Sequence, residues 1–231
     1  MPAAIEIEGL DKSFTLHLRG GAELKVLADL SLAVERGECL ALQGASGTGK
    51  STVLRCIYGN YRPDRGQLRV RRGDVTIDVH AAAPREILAL RRSTLGYVSQ
   101  FLRVVPRVPA IDLVMERALE GGAEAGVARA RAAAILERLR IPRQLWSLPP
   151  ATFSGGEQQR INVARGLVAE QPILLLDEPT ASLDSDNRAA VVDLVREAKA
   201  RGATVVGVFH DREVRDAVAD RVLVLDRAVA A

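Results

Sequence analysis

Residues 44–51, Gly-Ala-Ser-Gly-Thr-Gly-Lys-Ser, constrain this chain more than any other stretch. They match the pattern G-x-x-x-x-G-K-[ST], in which glycines let successive backbone N–H groups converge on an anion at the positive end of the following helix. The flanks agree. Glu38 to Gln43 is an apolar run that predicts a buried strand, and Lys50 to Tyr58 predicts a helix. Strand, glycine loop and helix together predict a phosphate-binding loop. Lys50 then bridges terminal phosphates and the Ser51 hydroxyl binds Mg²⁺.

Other apolar runs set the fold class. Leu95–Ser99, Ile173–Leu176, Thr204–Phe209 and Val222–Leu225 are short, continuous and separated by helical patterns. This predicts an α/β fold whose parallel sheet is covered on both faces. Ile5–Glu8 alternates, short strands are expected between Leu24 and Val34, and Gln67–Arg71 with Val75–Val79 reads as a hairpin around Arg72-Gly73-Asp74. These predict an N-terminal antiparallel β subdomain. Further helices are expected over Pro84–Arg92, Gly156–Ala169 and Asn187–Ala200. From Phe101 to Pro150 prolines bracket two helical patterns, Ile111–Leu119 and Ala123–Leu139, which predicts a helical insertion.

A length of 231 residues suits one domain, 1–231. Within it, 1–100 is expected to hold the β subdomain and the phosphate-loop part of the core, 101–165 the helical subdomain, and 166–231 the rest of the core. A net charge of +3 from 32 basic and 29 acidic residues argues against a nucleic-acid partner. Arginines gather at 62, 65, 69, 71 and 72 and at 85, 91 and 92, as a solvated face or one that meets an acidic partner. No apolar run reaches the ~18 residues of a membrane helix, and Met1–Glu6 lacks signal-peptide character. A cytoplasmic location follows as the expectation, with Cys39 and Cys56 as buried reduced thiols. His17 is expected in a surface loop, and His80 has no ligand partner in sequence.

Asp177-Glu178 closes the strand Ile173–Leu176, where open α/β sheets bind ligands. Asp177 is a candidate for holding Mg²⁺, and Glu178 for orienting or deprotonating an attacking water. Ser154-Gly155-Gly156-Glu157 opens a helix and forms a second anion-binding end, or an ordinary Ser-capped helix.

The ordered set of phosphate loop, Gln100, Ser154–Glu157, Asp177-Glu178, Ser182-Leu183-Asp184 and His210 resembles the ATP-binding-cassette (ABC) ATPases over the whole chain. The resemblance implies a P-loop (RecA-like) core, ATP and Mg²⁺ as cofactors, and Mg²⁺-dependent ATP hydrolysis. It implies nucleotide contacts from Phe14, as the adenine-stacking aromatic, and from Gly44, Ala45, Ser46, Gly47, Thr48, Gly49, Lys50, Ser51 and Thr52. Ser51, Gln100 and Asp177 attend the metal, Glu178 is the catalytic glutamate, and His210 the histidine that meets the γ-phosphate. It further implies a head-to-tail cassette dimer, of two copies or of one copy and a related cassette. There Ser154, Gly155, Gly156 and Glu157 complete the opposite subunit's site, and Asp184 lies in the coupling loop. Glu157 stands where many members have Gln, Phe153 where many have Leu, and Phe14 where Tyr is usual.

The flanks are more specific. Gly96–Arg107, Leu145–Arg160 and Gly207–Asp211 are similar to the L-subunit (PhnL) family of the bacterial carbon-phosphorus lyase system. This implies soluble lyase subunits as partners in phosphonate use, forming ribose 1-alkylphosphonate 5-triphosphate from ATP and an alkylphosphonate with release of adenine. The alternative is the nucleotide-binding subunit of a lipoprotein-release or macrolide-type exporter, which meets the membrane only through a spanning partner.

Overall fold

The computed structural model describes residues 3–16, 21–102 and 106–227. His17 and residues 103–105 of the first flanking segment lie outside these. The chain enters through two long antiparallel strands, β1 (Ile5–Leu16) and β2 (Ala22–Val34). β3 (Cys39–Gln43) and α1 (Lys50–Ile57) flank the glycine loop, followed by β4 (Arg65–Arg72), β5 (Val75–Asp78), α2 (Pro84–Ser93) and β6 (Leu95–Val98). The insertion holds α3 (Ala110–Glu120) and α4 (Ala125–Arg138), two 3₁₀ turns at Arg143–Leu145 and Pro150–Thr152, and leads into α5 (Gly155–Leu167). β7 (Ile173–Asp177), α6 (Ser185–Ala200), β8 (Thr204–Val208), α7 (Arg212–Val218) and β9 (Arg221–Val224) follow.

These strands form two sheets, an antiparallel one ordered β2-β1-β4-β5 and a parallel one ordered β6-β7-β8-β3-β9. The expected α/β architecture, with its antiparallel subdomain and helical insertion, is present. Side-chain alternation along the central strands builds two cores. Ile173, Leu175, Val206, Val208, Leu40 and Leu42 pack toward the antiparallel sheet and α1. Leu174, Leu176, Val205, Cys39 and Ala41 pack toward the insertion, α5 and α6. Both faces are therefore dry, which is why these strands read as unbroken apolar runs.

The expected short strands between Leu24 and Val34 are one 13-residue strand, β2, and β1 extends to Leu16 through register shifts between Ile7 and Ser13. Such irregularities break the alternation that sequence reading relies on. α7 has no counterpart among the helices expected from the sequence. It is seven residues long and charge-rich, and Asp211 caps it by accepting from the N–H groups of Glu213 and Val214.

Several of the clustered arginines are engaged within the chain. Arg69 meets Glu8 at 3.1 Å and Glu6 at 3.6 Å, Arg71 donates to the Gly73 carbonyl, and Arg91 donates to the carbonyls of Tyr58 and Gly59. The imidazole Nδ1 of His80 sits 3.1 Å from the Gly66 carbonyl, and no group of three metal-ligating side chains occurs among the described residues. Nor is any helix there long and apolar enough to cross a membrane.

α5 approaches β6 more closely than side chains allow. A Cβ on Gly166 would fall 2.3 Å from Val98 Cγ2, and one on Gly96 would fall 2.8 Å from the Gly166 carbonyl oxygen.

Cys39 and Cys56 are free, fully buried thiols, and burial pushes both up to about 12. Their folded values exceed the unfolded one of 9.0, so the stability they contribute is present below pH 9 and lost as pH rises toward 12. Each thiol contributes a slope of about 1.4 kcal/mol per pH unit in that window. Denaturant unfolding between pH 9 and 11 should show a falling midpoint, with a shallower fall in a Cys39→Ala, Cys56→Ala double variant. Equal slopes would disprove the assignment.

Candidate functional site

The site lies along the carboxyl ends of β3, β7, β8 and β6. The loop after β3 is shaped by backbone conformation: Gly44, Gly47 and Gly49 have φ of 152°, 83° and 91°. Gly49 has no room for a side chain, because a Cβ would fall 2.6 Å from Leu27 Cδ2, so β2 presses on the loop. Lys50, nearly buried, donates from Nζ to the carbonyls of Gly44 (2.8 Å) and Ala45 (2.9 Å), which folds its ammonium back over the loop. Thr48 Oγ1 donates to the Ala45 carbonyl at 3.0 Å. Ser51, in the first turn of α1, donates from its hydroxyl to Asp177 Oδ1 at 2.8 Å. Ser46 and Thr52 complete the loop and its helix start.

Asp177 is fully buried. Desolvation pushes its carboxyl above the usual range, opposed by the Ser51 hydrogen bond and the positive charge of Arg55. A serine hydroxyl and a carboxylate, both hard oxygen donors and already 2.8 Å apart, are the donor set that would hold Mg²⁺.

Next in sequence, Glu178 takes the left-handed backbone region with φ of 55°, which is unusual for a non-glycine residue. Its N–H donates to the Val208 carbonyl at 3.0 Å, fixing the residue to the end of β8. His210 Nε2 lies 2.8 Å from Glu178 Oε1, and Gln100 Nε2 donates to Glu178 Oε2 at 3.4 Å. The carboxylate thus sits between the groups expected to work with it. The Glu178 side chain is 17 % exposed and His210 67 %, so this cluster opens to the surface.

The other expected residues are arranged around this centre. Ser154 caps α5: its Oγ accepts from the Glu157 N–H at 3.3 Å, and the Glu157 carboxylate accepts from the Ser154 N–H and hydroxyl, which holds that carboxyl below its usual range. Gly156 abuts the Ser182 carbonyl, with 3.3 Å left for a Cβ. Among the described residues no hydrogen bond joins Ser154, Gly155, Gly156 or Glu157 to the phosphate loop. Asp184 caps α6, accepting from the Asn187 N–H and side-chain amide, both at 2.8 Å. Phe14 makes an edge-on contact with Tyr61 at 5.1 Å, with the Lys12 ammonium 5.3 Å from its ring centre.

Sequence reasoning missed the residues that fasten these loops. Gln159 on α5, itself buried, donates to the carbonyls of Glu178 and Pro179, each at 3.1 Å. Asn162, one turn on, donates to the Ser99 carbonyl at 2.5 Å. Arg188 pairs with Asp211 beside the Glu178–His210 contact. Polar side chains on a helix face otherwise facing the core are the only sequence signal for the first two. A cleft of about 360 Å³ beside Gln100 is lined by Tyr97, Ser99, Arg55, Arg117 and Arg165, with Phe101 75 % exposed at its rim.

The phosphate loop, the buried Ser51–Asp177 pair and the strand-end carboxylate define a P-loop ATPase site. Residues 27–181 match the ABC transporter family, and the chain belongs to it: this is an ABC ATPase that hydrolyses ATP. It is 35 % identical over 220 residues to the lipoprotein-releasing system ATP-binding protein LolD of Maricaulis maris (strain MCS10), covering 95 % of this chain and 92 % of that one. It is 36 % identical over 210 residues to the macrolide export ATP-binding/permease protein MacB of Sodalis glossinidius (strain morsitans), covering 91 % of this chain. The chain spans about a third of that relative's length, 31 %. Its structure is similar to the ATP-binding cassette MJ0796, in a dimeric post-hydrolysis state bound to ADP and Pi, with a TM-score of 0.87 and 27 % identity, covering 96 % and 94 % of the two chains.

Gln159→Met keeps the side chain's length but leaves two backbone carbonyls without their donor. It should cost about 1–3 kcal/mol in denaturant unfolding and lower turnover more than ATP affinity. Unchanged stability and turnover would remove Gln159 from the site's support.

Proposed function

We propose that this chain works as one half of a cassette dimer in which Glu178 is the general base and ATP hydrolysis drives a docked partner. The observation that carries the reading is the Glu178 carboxylate, bound on one oxygen by His210 and on the other by Gln100. Lys50 and the loop N–H groups bind the β- and γ-phosphates, and Phe14 stacks on adenine. Ser51 and Asp177 hold Mg²⁺ with Gln100 nearby; when bound, the ion neutralises phosphate charge and orients the group transferred. Glu178 accepts the proton of the attacking water, while His210 keeps its carboxylate oriented and contacts the γ-phosphate. Ser154, Gly155, Gly156 and Glu157 reach no phosphate loop in their own chain, which supports their acting on the opposite subunit's nucleotide, with Asp184 coupling the two subunits.

For the partner, the relatives favour export. The names of the macrolide export ATP-binding/permease and lipoprotein-releasing proteins support a membrane-spanning partner, with the cassette itself on the cytoplasmic side; the cleft beside Gln100, with Phe101 exposed at its rim, is the surface we assign to that contact. A second reading is favoured by the flanking segments Gly96–Arg107, Leu145–Arg160 and Gly207–Asp211, which are similar to the L subunit of the carbon-phosphorus lyase system. In that reading the partners are soluble lyase subunits, and the cassette supports formation of ribose 1-alkylphosphonate 5-triphosphate. Identities of 36 % and 35 % to two export systems with different cargoes support the cassette core equally and single out neither cargo.

Glu178→Gln should retain ATP binding and lower hydrolysis by roughly 10²-fold or more in the active assembly, since the base is lost and the shape kept. Wild-type turnover there overturns the role of Glu178. The same variant, tagged and recovered from its host with Mg²⁺-ATP, tests the partner. Recovery from solubilised membranes with a multi-spanning protein supports export; recovery without detergent, with soluble lyase subunits, supports the second reading.

A further inference from the structure

Ser51 satisfies only one oxygen of the buried Asp177 carboxylate. The other is reached from the neighbouring strand. Tyr97 on β6 is in register with Leu175 on β7, two residues before Asp177, and its hydroxyl donates to Asp177 Oδ2 at 3.4 Å. The phenol is held in place by its surroundings: its ring lies 4.9 Å from that of Tyr58, which carries the Arg91 guanidinium 4.7 Å over its own centre. Arg55 of α1, whose positive charge acts on the Tyr97 phenol, donates to the Tyr61 hydroxyl at 2.8 Å. Packing alone does not call for the oxygen, since phenylalanine fills the same volume.

We propose that Tyr97 is a positioning residue for the metal site: its hydroxyl sets the rotation of the Asp177 carboxylate and so keeps Oδ1 on Ser51. A carboxylate closed off from water has no solvent to hold its second oxygen, and without the phenol it turns about its Cβ–Cγ bond. Groups that orient a metal ligand in this way affect metal affinity without touching the ion. The inference rests on the reading of Asp177 and Ser51 as the Mg²⁺-holding pair.

The experiment measures ATP affinity, in the Glu178→Gln background, with Mg²⁺ and with EDTA, so that the ratio of the two isolates the metal's contribution. Tyr97→Phe and Tyr97→Met should each lower that ratio about 10-fold and leave the EDTA affinity unchanged. Bound Mn²⁺ in these variants should give an altered electron paramagnetic resonance spectrum. Tyr58→Phe, which removes a neighbouring hydroxyl that does not reach Asp177, should match the parent in both measurements. A parental ratio in the Tyr97 variants, while Asp177→Asn loses it, overturns the positioning role and leaves Asp177 as the metal residue. A parental ratio in Asp177→Asn overturns that underlying reading and the inference with it. Equal weakening with Mg²⁺ and with EDTA marks Tyr97 as merely structural and also overturns the proposal.

Discussion

A carboxylate with no access to water governs the layout of this molecule. Asp177 ends an apolar strand at zero exposure, and an isolated buried charge is far costlier than any single packing defect. It is tolerated because hydroxyls from two other elements reach it, Ser51 at the start of α1 and Tyr97 on β6. These contacts fix the phosphate-loop helix against β7 and β7 against its neighbour. The glycine loop and the Glu178 cluster therefore share one rigid frame.

Strand order does the remaining positioning. In the sequence β6-β7-β8-β3-β9, β7 has β6 on one side and β8 on the other, so residues 78 and 32 positions from Glu178 meet its carboxylate. Parallel strands all point their carboxyl ends one way, and loops leaving that edge converge. Glu178 adopts a left-handed backbone there, a strained conformation held by the hydrogen bond to Val208 and by Gln159 beneath.

The parts legible in sequence were those with a local signature. Glycines at 44, 47 and 49 declared the loop, and four apolar residues followed by Asp-Glu declared the strand and its acids. Helix α5 was legible from Ser154 and Glu157, which form a reciprocal cap. What stayed hidden depends on contacts between distant residues. Gln159, Asn162 and Tyr97 have no pattern of their own; their roles arise from what lies opposite them. β2 reads in sequence as fragments because its register with β1 shifts, and α7 leaves no signature because seven residues carry too little periodicity. The partner was the least legible feature. The cleft beside Gln100 has residues but no pattern that names an occupant.

Helix α5 is secured along its length on both sides of the site. Near its start it holds the carbonyls of Glu178 and Pro179; one turn on it holds that of Ser99; near its end Gly166 lies against Val98 with no space for a methyl group. A beam fastened at three points passes on displacement rather than absorbing it. A push on the segment after Ser99 must therefore arrive at the backbone of Glu178 and at the helix start around Ser154, as one movement with no slack between them.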